Sequence, residues 1–202
     1  MYSQASYDEI RPELKTGDVL LFSGKGFVSW SIKFGSYFGR IFRRKRSGRP
    51  RWSHVGMIVR NESGVFLYES TTLSTVKDTL TGRKVQGVQL VLLSERLRGY
   101  KGKVALLAGP RLPEGSEAVL RHMRQEFKGT PYEESKLELL RSLVDIGREN
   151  KADTSSMFCS ELVATAYQRM GFSGSFPDPA NEYIPSDFEE MELFGWPVLI
   201  NP

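Results

Sequence analysis

Cysteine is almost missing from this chain: its 202 residues include one, Cys159, beside two histidines, His54 and His122. One cysteine cannot close an intrachain disulfide, so a small stapled scaffold is excluded. One Cys and two His are too few for an ordinary four-ligand zinc site, and no glycine-rich phosphate loop is present, so no metal or other cofactor is expected. Long apolar runs are lacking as well. No window approaches the roughly 20 residues that a membrane-spanning helix needs. The opening residues, Met1 to Glu9, have no basic stretch followed by an apolar core, as a secretory leader would. The expectation is a cytoplasmic protein whose Cys159 stays a free thiol. Acidic residues are also absent from the most basic part of the chain. Arg40, Arg43, Arg44, Lys45, Arg46, Arg49 and Arg51 crowd a single stretch without a counter-charge, although the whole chain carries only +4.

What is present suits one ordinary domain. Forty per cent of the residues are apolar and 11% aromatic, enough for a real core. A single domain over 1–202 is expected, with the basic loop inserted at about 39–51. Leu14 to Phe22 reads as a turn at Gly17-Asp18 leading into a short buried strand. Phe27 to Phe38 has helical spacing. Ser53 to Arg60 and Val65 to Ser70 read as a hairpin joined by Asn61 to Gly64. Val85 to Leu93 and Val104 to Ala108 read as further strands, with a polar loop or short hairpin over Thr71 to Lys84. Three helices follow: Ser116 to Phe127, then Ser135 to about Arg148 behind a capping box, then Cys159 to Met170 with Gly171 as its stop. The tail from Pro177 to Pro202 is expected to wrap the body without regular elements. Strands followed by helices indicate the α+β class.

The lone cysteine and a distant histidine are the minimal signature of a thiol nucleophile and its base. Cys159, Val163, Ala166 and Met170 share one helical face, which by itself describes a packing cysteine. The polar run Asp153-Thr154-Ser155-Ser156 before it places Cys159 in the first helical turn. There, free N–H groups and the helix dipole stabilise a thiolate, and such settings lower a cysteine pKa from ~8.5 to ~3.5–7.5. His54 starts the strand Val55-Gly56-Met57-Ile58-Val59. His122, between Arg121 and Arg124 and off the apolar stripe, reads as a surface residue. A base needs a partner for its second nitrogen, and Glu69 is the candidate. With a two- or four-residue hairpin loop, Glu69 pairs opposite Gly56 and shares a face with His54. With a three-residue loop and a bulge at Gly64, it points away.

Six segments in order resemble the permuted papain-like branch of the NlpC-type cysteine peptidase superfamily, in particular the YiiX-like proteins. They are Leu14-Lys15-Thr16-Gly17-Asp18-Val19-Leu20-Leu21-Phe22, Trp52-Ser53-His54-Val55-Gly56-Met57, Tyr68-Glu69-Ser70, Gly129-Thr130-Pro131-Tyr132, Phe158-Cys159-Ser160-Glu161-Leu162-Val163 and Tyr183-Ile184-Pro185-Ser186-Asp187-Phe188. His54 precedes Cys159, which is the permuted order. The resemblance implies a small antiparallel sheet or open barrel packed against helices, with the cysteine at a helix N-terminus. It also implies a triad of Cys159, His54 and Glu69. The basic stretch is longer and more positive than the family pattern.

On this reading the chain is a cysteine hydrolase, an amidase or peptidase working through a Cys159 thioester on a peptide or small-molecule amide. The backbone N–H of Cys159 is an expected oxyanion donor. Tyr132, Tyr183, Ser53 and Ser160 are candidates for substrate contact. Arg43, Arg44, Lys45 and Arg46 form either a plain solvated surface or a loop for an anionic partner, a lipid surface before nucleic acid. Two rivals are a lipid-directed acyltransferase of the lecithin:retinol acyltransferase kind and a silent binding module on the same fold. Glu69, where that group typically has a second histidine, favours the amidase.

Overall fold

The computed structural model describes residues 2–24, 51–71, 75–128 and 155–201. The expected helices over Phe27 to Phe38 and Ser135 to Arg148, the basic residues Arg43, Arg44, Lys45 and Arg46, and Tyr132 lie outside the described residues. Seven strands form one open sheet: β1 (Ser3–Ser6), β2 (Val19–Ser23), β3 (His54–Asn61), β4 (Gly64–Thr71), β5 (Gly87–Leu92), β6 (Lys103–Leu107) and β7 (Val198–Asn201). Their order is β1-β7-β6-β2-β3-β4-β5. All neighbours are antiparallel except β1 and β7. Among the described residues five α-helices accompany them: α1 (Tyr7–Ile10), α2 (Leu93–Leu97), α3 (Ser116–Glu126), α4 (Ser155–Tyr167) and α5 (Asp187–Glu190). The chain is α+β.

The period-2 alternation of the strands gives the sheet two apolar faces. Val19, Leu21, Val55, Met57, Val59, Phe66 and Tyr68 point to one side, where they pack with Cys159, Leu162, Val163, Ala166 and Tyr167 of α4. Leu20, Phe22, Ile58, Leu67 and Val91 point to the other, against Ile10, Leu14, Leu93 and Leu97. Helix α4 is buried on nearly every side, because the tail covers what the sheet does not. Tyr167, Phe172, Phe176, Tyr183, Phe188 and Phe194 join it in a chain of ring contacts at 5.2–6.5 Å.

Two expectations are corrected here. The tail does contain regular structure: α5, and β7 between β1 and β6. Strand β7 is only four residues long and pairs with the distant N-terminus, so its short apolar run after Pro197 gives no local hairpin signal. Helix α4 begins by Ser155, four residues ahead of the expected start. Ser155 and Ser156, taken with the polar run that precedes the helix, lie within its first turn, so Cys159 sits one turn further in. Its far end is as expected. A π-helical segment, Gln168–Phe172, closes it at Gly171, whose φ of 97° is open to glycine and strained for other residues.

Candidate active site

Strand register brings the first two site residues together. Asn61 pairs with Gly64 and Met57 with Tyr68, so the hairpin loop is the two residues Glu62 and Ser63. The Ser63 N–H donates to Asn61 Oδ1 at 2.9 Å, an Asx turn. This even register sets Gly56 opposite Glu69 and puts His54 and Glu69 on one face as diagonal neighbours. His54 Nε2 lies 2.6 Å from Glu69 Oε2. Glycine is needed between them. A Cβ at Gly56 would stand 2.8 Å from Leu67 Cδ1 and 3.2 Å from Glu69 Cβ.

Cys159 completes the group from α4. Its side chain is hydrogen-bonded to the His54 ring. With Nε2 on Glu69, Nδ1 is the nitrogen left for the thiol. His54 is the first residue of β3, so this contact lies at the end of that strand. Cys159 is fully buried and the His54 side chain keeps 16% exposure.

The charges are coupled. Burial works against protonating His54, but the Cys159 side chain and the Glu69 carboxylate more than offset it and raise the imidazole to about 9. Burial likewise opposes ionising Glu69, and is overcome by Arg96 and His54, which hold it well below the usual carboxylate range. Arg96 donates from Nε to Glu69 Oε1 at 2.8 Å, and Gln89 Nε2 donates to the same oxygen at 2.8 Å. An imidazole held through Nε2 by an anion can take a proton at Nδ1.

Arg96 and Gln89 carry no local sequence signal of this role. Arg96 sits on the five-residue α2, and Gln89 is a polar residue in the middle of an apolar strand. Only the β4–β5 pairing, with Glu69 opposite Gln89, makes Gln89 legible.

Ser53, Ser160 and Tyr183 lie in buried protein contacts. Ser53 is buried and its hydroxyl donates to the Phe22 carbonyl at 3.3 Å. The Ser160 hydroxyl donates to the Tyr183 carbonyl. Tyr183 is 1% exposed within the aromatic chain, and its hydroxyl accepts from the Asp178 N–H at 3.1 Å. All three are seated in protein contacts, and a role for them in substrate contact stays a proposal. The backbone N–H of Cys159 is corrected too. One turn inside α4, it follows the i→i−4 pattern to Ser155 and is not a free donor. His122 is exposed.

The tail fixes the approach to β3. Ser186 Oγ accepts from the N–H groups of Arg51 at 3.0 Å and Trp52 at 3.1 Å, and Trp52 Nε1 donates to Glu189 Oε2 at 2.7 Å. This gives the Pro185-Ser186-Asp187-Phe188 segment a physical purpose: it holds the residues just before His54.

Among the described residues no cluster of three or more His, Cys, Asp or Glu could hold a metal ion, and no helix is long and apolar enough to cross a membrane. No protein-family model matches the chain. No curated protein matches it. A solved structure, the metalloprotein yiiX from Escherichia coli O157:H7, is similar at 18% identity with a TM-score of 0.46; the match covers 78% of this chain and 66% of that one.

Proposed function

We propose that this chain is a cysteine hydrolase, an amidase or peptidase on a permuted papain-like fold, with Cys159 as nucleophile, His54 as base and Glu69 orienting the imidazole. The observation that supports it is the contact of 2.6 Å between His54 Nε2 and the buried Glu69 Oε2, with the ring hydrogen-bonded to Cys159 on its other side. A packing cysteine has no use for an imidazole held in one orientation by a buried anion.

The thiol proton passes to His54 Nδ1 and Sγ attacks the carbonyl carbon of an amide. The tetrahedral intermediate collapses with cleavage of the C–N bond, and His54 gives its proton to the leaving nitrogen. Water, deprotonated by His54, then hydrolyses the thioester, and the proton returns to the thiol. Tyr132 remains a proposed substrate contact. Arg43, Arg44, Lys45 and Arg46 remain a proposed anion-binding loop, to be tested by vesicle binding with all four changed to Ser.

A mixed panel of amides and acyl lipids tests the activity. Amine release that disappears in Cys159→Ala, with a transient acyl adduct on the intact mass, is expected. Fatty-acid release alone would move the chain to the lipid-directed class, and no turnover with an unreactive thiol would make it a binding module.

A further inference from the structure

We propose that Arg96, together with Gln89, positions the site by acting on Glu69: the two donors occupy Oε1 and leave Oε2 turned to His54. The inference rests on the thiol chemistry proposed above, since Cys159 supplies its readout.

Three donors meet one fully buried carboxylate. His54 takes Oε2 at 2.6 Å, while Arg96 Nε and Gln89 Nε2 both take Oε1 at 2.8 Å. Two donors on one oxygen settle which oxygen remains for the imidazole. The guanidinium itself is held by ring faces, 4.8 Å from the Phe22 centroid and 5.4 Å from that of Tyr100. Such a slot suits a planar cation, and lysine would not fill it. Phe22 also touches the His54 ring at 5.5 Å, so one aromatic side chain braces both ends of the His54–Glu69–Arg96 chain.

Among the described residues, the charged or titratable groups facing Glu69 are His54 from β3, Arg96 from α2 and Tyr100 just beyond α2. Gln89 from β5 is neutral, and Cys159 reaches the carboxylate through His54. Arg96 is thus the one permanent cation in the group. Without it, burial favours the protonated carboxyl, which cannot balance an imidazolium. Arg96 therefore sets the acid end of the pH range over which the thiol–imidazole pair operates. A structural arginine would affect stability and leave that limit alone.

The test is the pH profile of iodoacetamide alkylation, followed by intact mass on the full chain, where Cys159 is the only cysteine. In Arg96→Met the acid midpoint should rise by about one pH unit or more, the size of shift that loss of a neighbouring charge produces. In Gln89→Leu, which keeps the cation and guards against misfolding of the first variant, it should rise less. In the Glu69→Gln background, Arg96→Met should move nothing further, because no carboxyl is left to titrate. A uniform slowing at every pH, with the midpoint unmoved in Arg96→Met or in Gln89→Leu, would overturn the proposal. His54→Ala separates the two levels. A profile identical to the native one would sink the thiol–imidazole reading. A changed His54→Ala profile with an unmoved Arg96→Met midpoint would sink only the role of Arg96.

Discussion

Glu69→Gln changes one atom type and, in this setting, should reverse a tautomer. In the native site Nε2–H of His54 donates to Oε2, so Nδ1 is the nitrogen that exchanges a proton with the thiol. The amide of Gln cannot be placed freely. Its carbonyl must occupy the Oε1 position, because Arg96 and Gln89 both donate there at 2.8 Å. Its NH2 then faces Nε2, which must accept, so the proton moves to Nδ1 and points at the sulfur. The imidazole becomes a donor to the thiol, and the anion that supported its charge is gone. Hydrogen bonds to charged groups contribute about 1.5–3 kcal/mol, so alkylation near pH 7 should fall roughly 10- to 100-fold. The substitution also leaves Arg96, 11% exposed, without a counter-charge. Breaking a buried pair this way costs about 3–5 kcal/mol, so urea unfolding must run alongside to show that the variant is folded at the assay temperature. A folded Glu69→Gln chain that alkylates at the native rate at pH 7 would refute the orienting role.

Gly56→Ala should lower the unfolding free energy from urea titration by about 1–3 kcal/mol through overpacking and slow alkylation, since its Cβ presses on Leu67 and Glu69; no change in either would mean the strands part at no cost. Ser186→Ala leaves the Arg51 and Trp52 N–H groups without their acceptor and should cost about 1–3 kcal/mol in thermal or urea unfolding. Raising pH should destabilise the native chain. Because His54 is lifted from 6.5 to about 9, its contribution, at most about 3 kcal/mol, is complete below about pH 6.5 and is lost as pH rises through about 9. Glu69 has the opposite sign: its contribution is present above the ordinary carboxylate range and is lost as pH falls through its lowered pKa. Urea midpoints at a series of pH values check both, and His54→Ala should flatten the alkaline side.

Much of the sheet was legible because its signals are local. Alternation and Asn61 to Gly64 marked the hairpin, and the two-residue loop is the register that puts Glu69 beside His54. The choice between even and odd loops was not legible, since Gly64 is compatible with a turn or a bulge. Strands β1 and β7 escaped notice because each is four residues long and pairs across nearly the whole chain. The start of α4 was misplaced because serines serve equally as cap and first turn. Ser160 and Tyr183 are hydrogen-bonded to each other across 23 positions of the chain, a pairing that no local spacing encodes. Arg96 and Gln89 were out of reach for a different reason. Their significance is a shared oxygen on Glu69, and no spacing within the chain encodes a three-dimensional donor count.

The most direct measurement is the pH profile of Cys159 alkylation in the native chain and in His54→Ala. Cys159 is fully buried, which lowers the absolute rate at every pH, so the shape of the profile and its dependence on His54 carry the answer. The account predicts substantial reaction near pH 6.5, well below the ~8.5 where an ordinary thiol ionises, and its loss in His54→Ala. A profile that rises only near ~8.5 and is the same in both proteins would contradict it, and Cys159 would then be a packing residue.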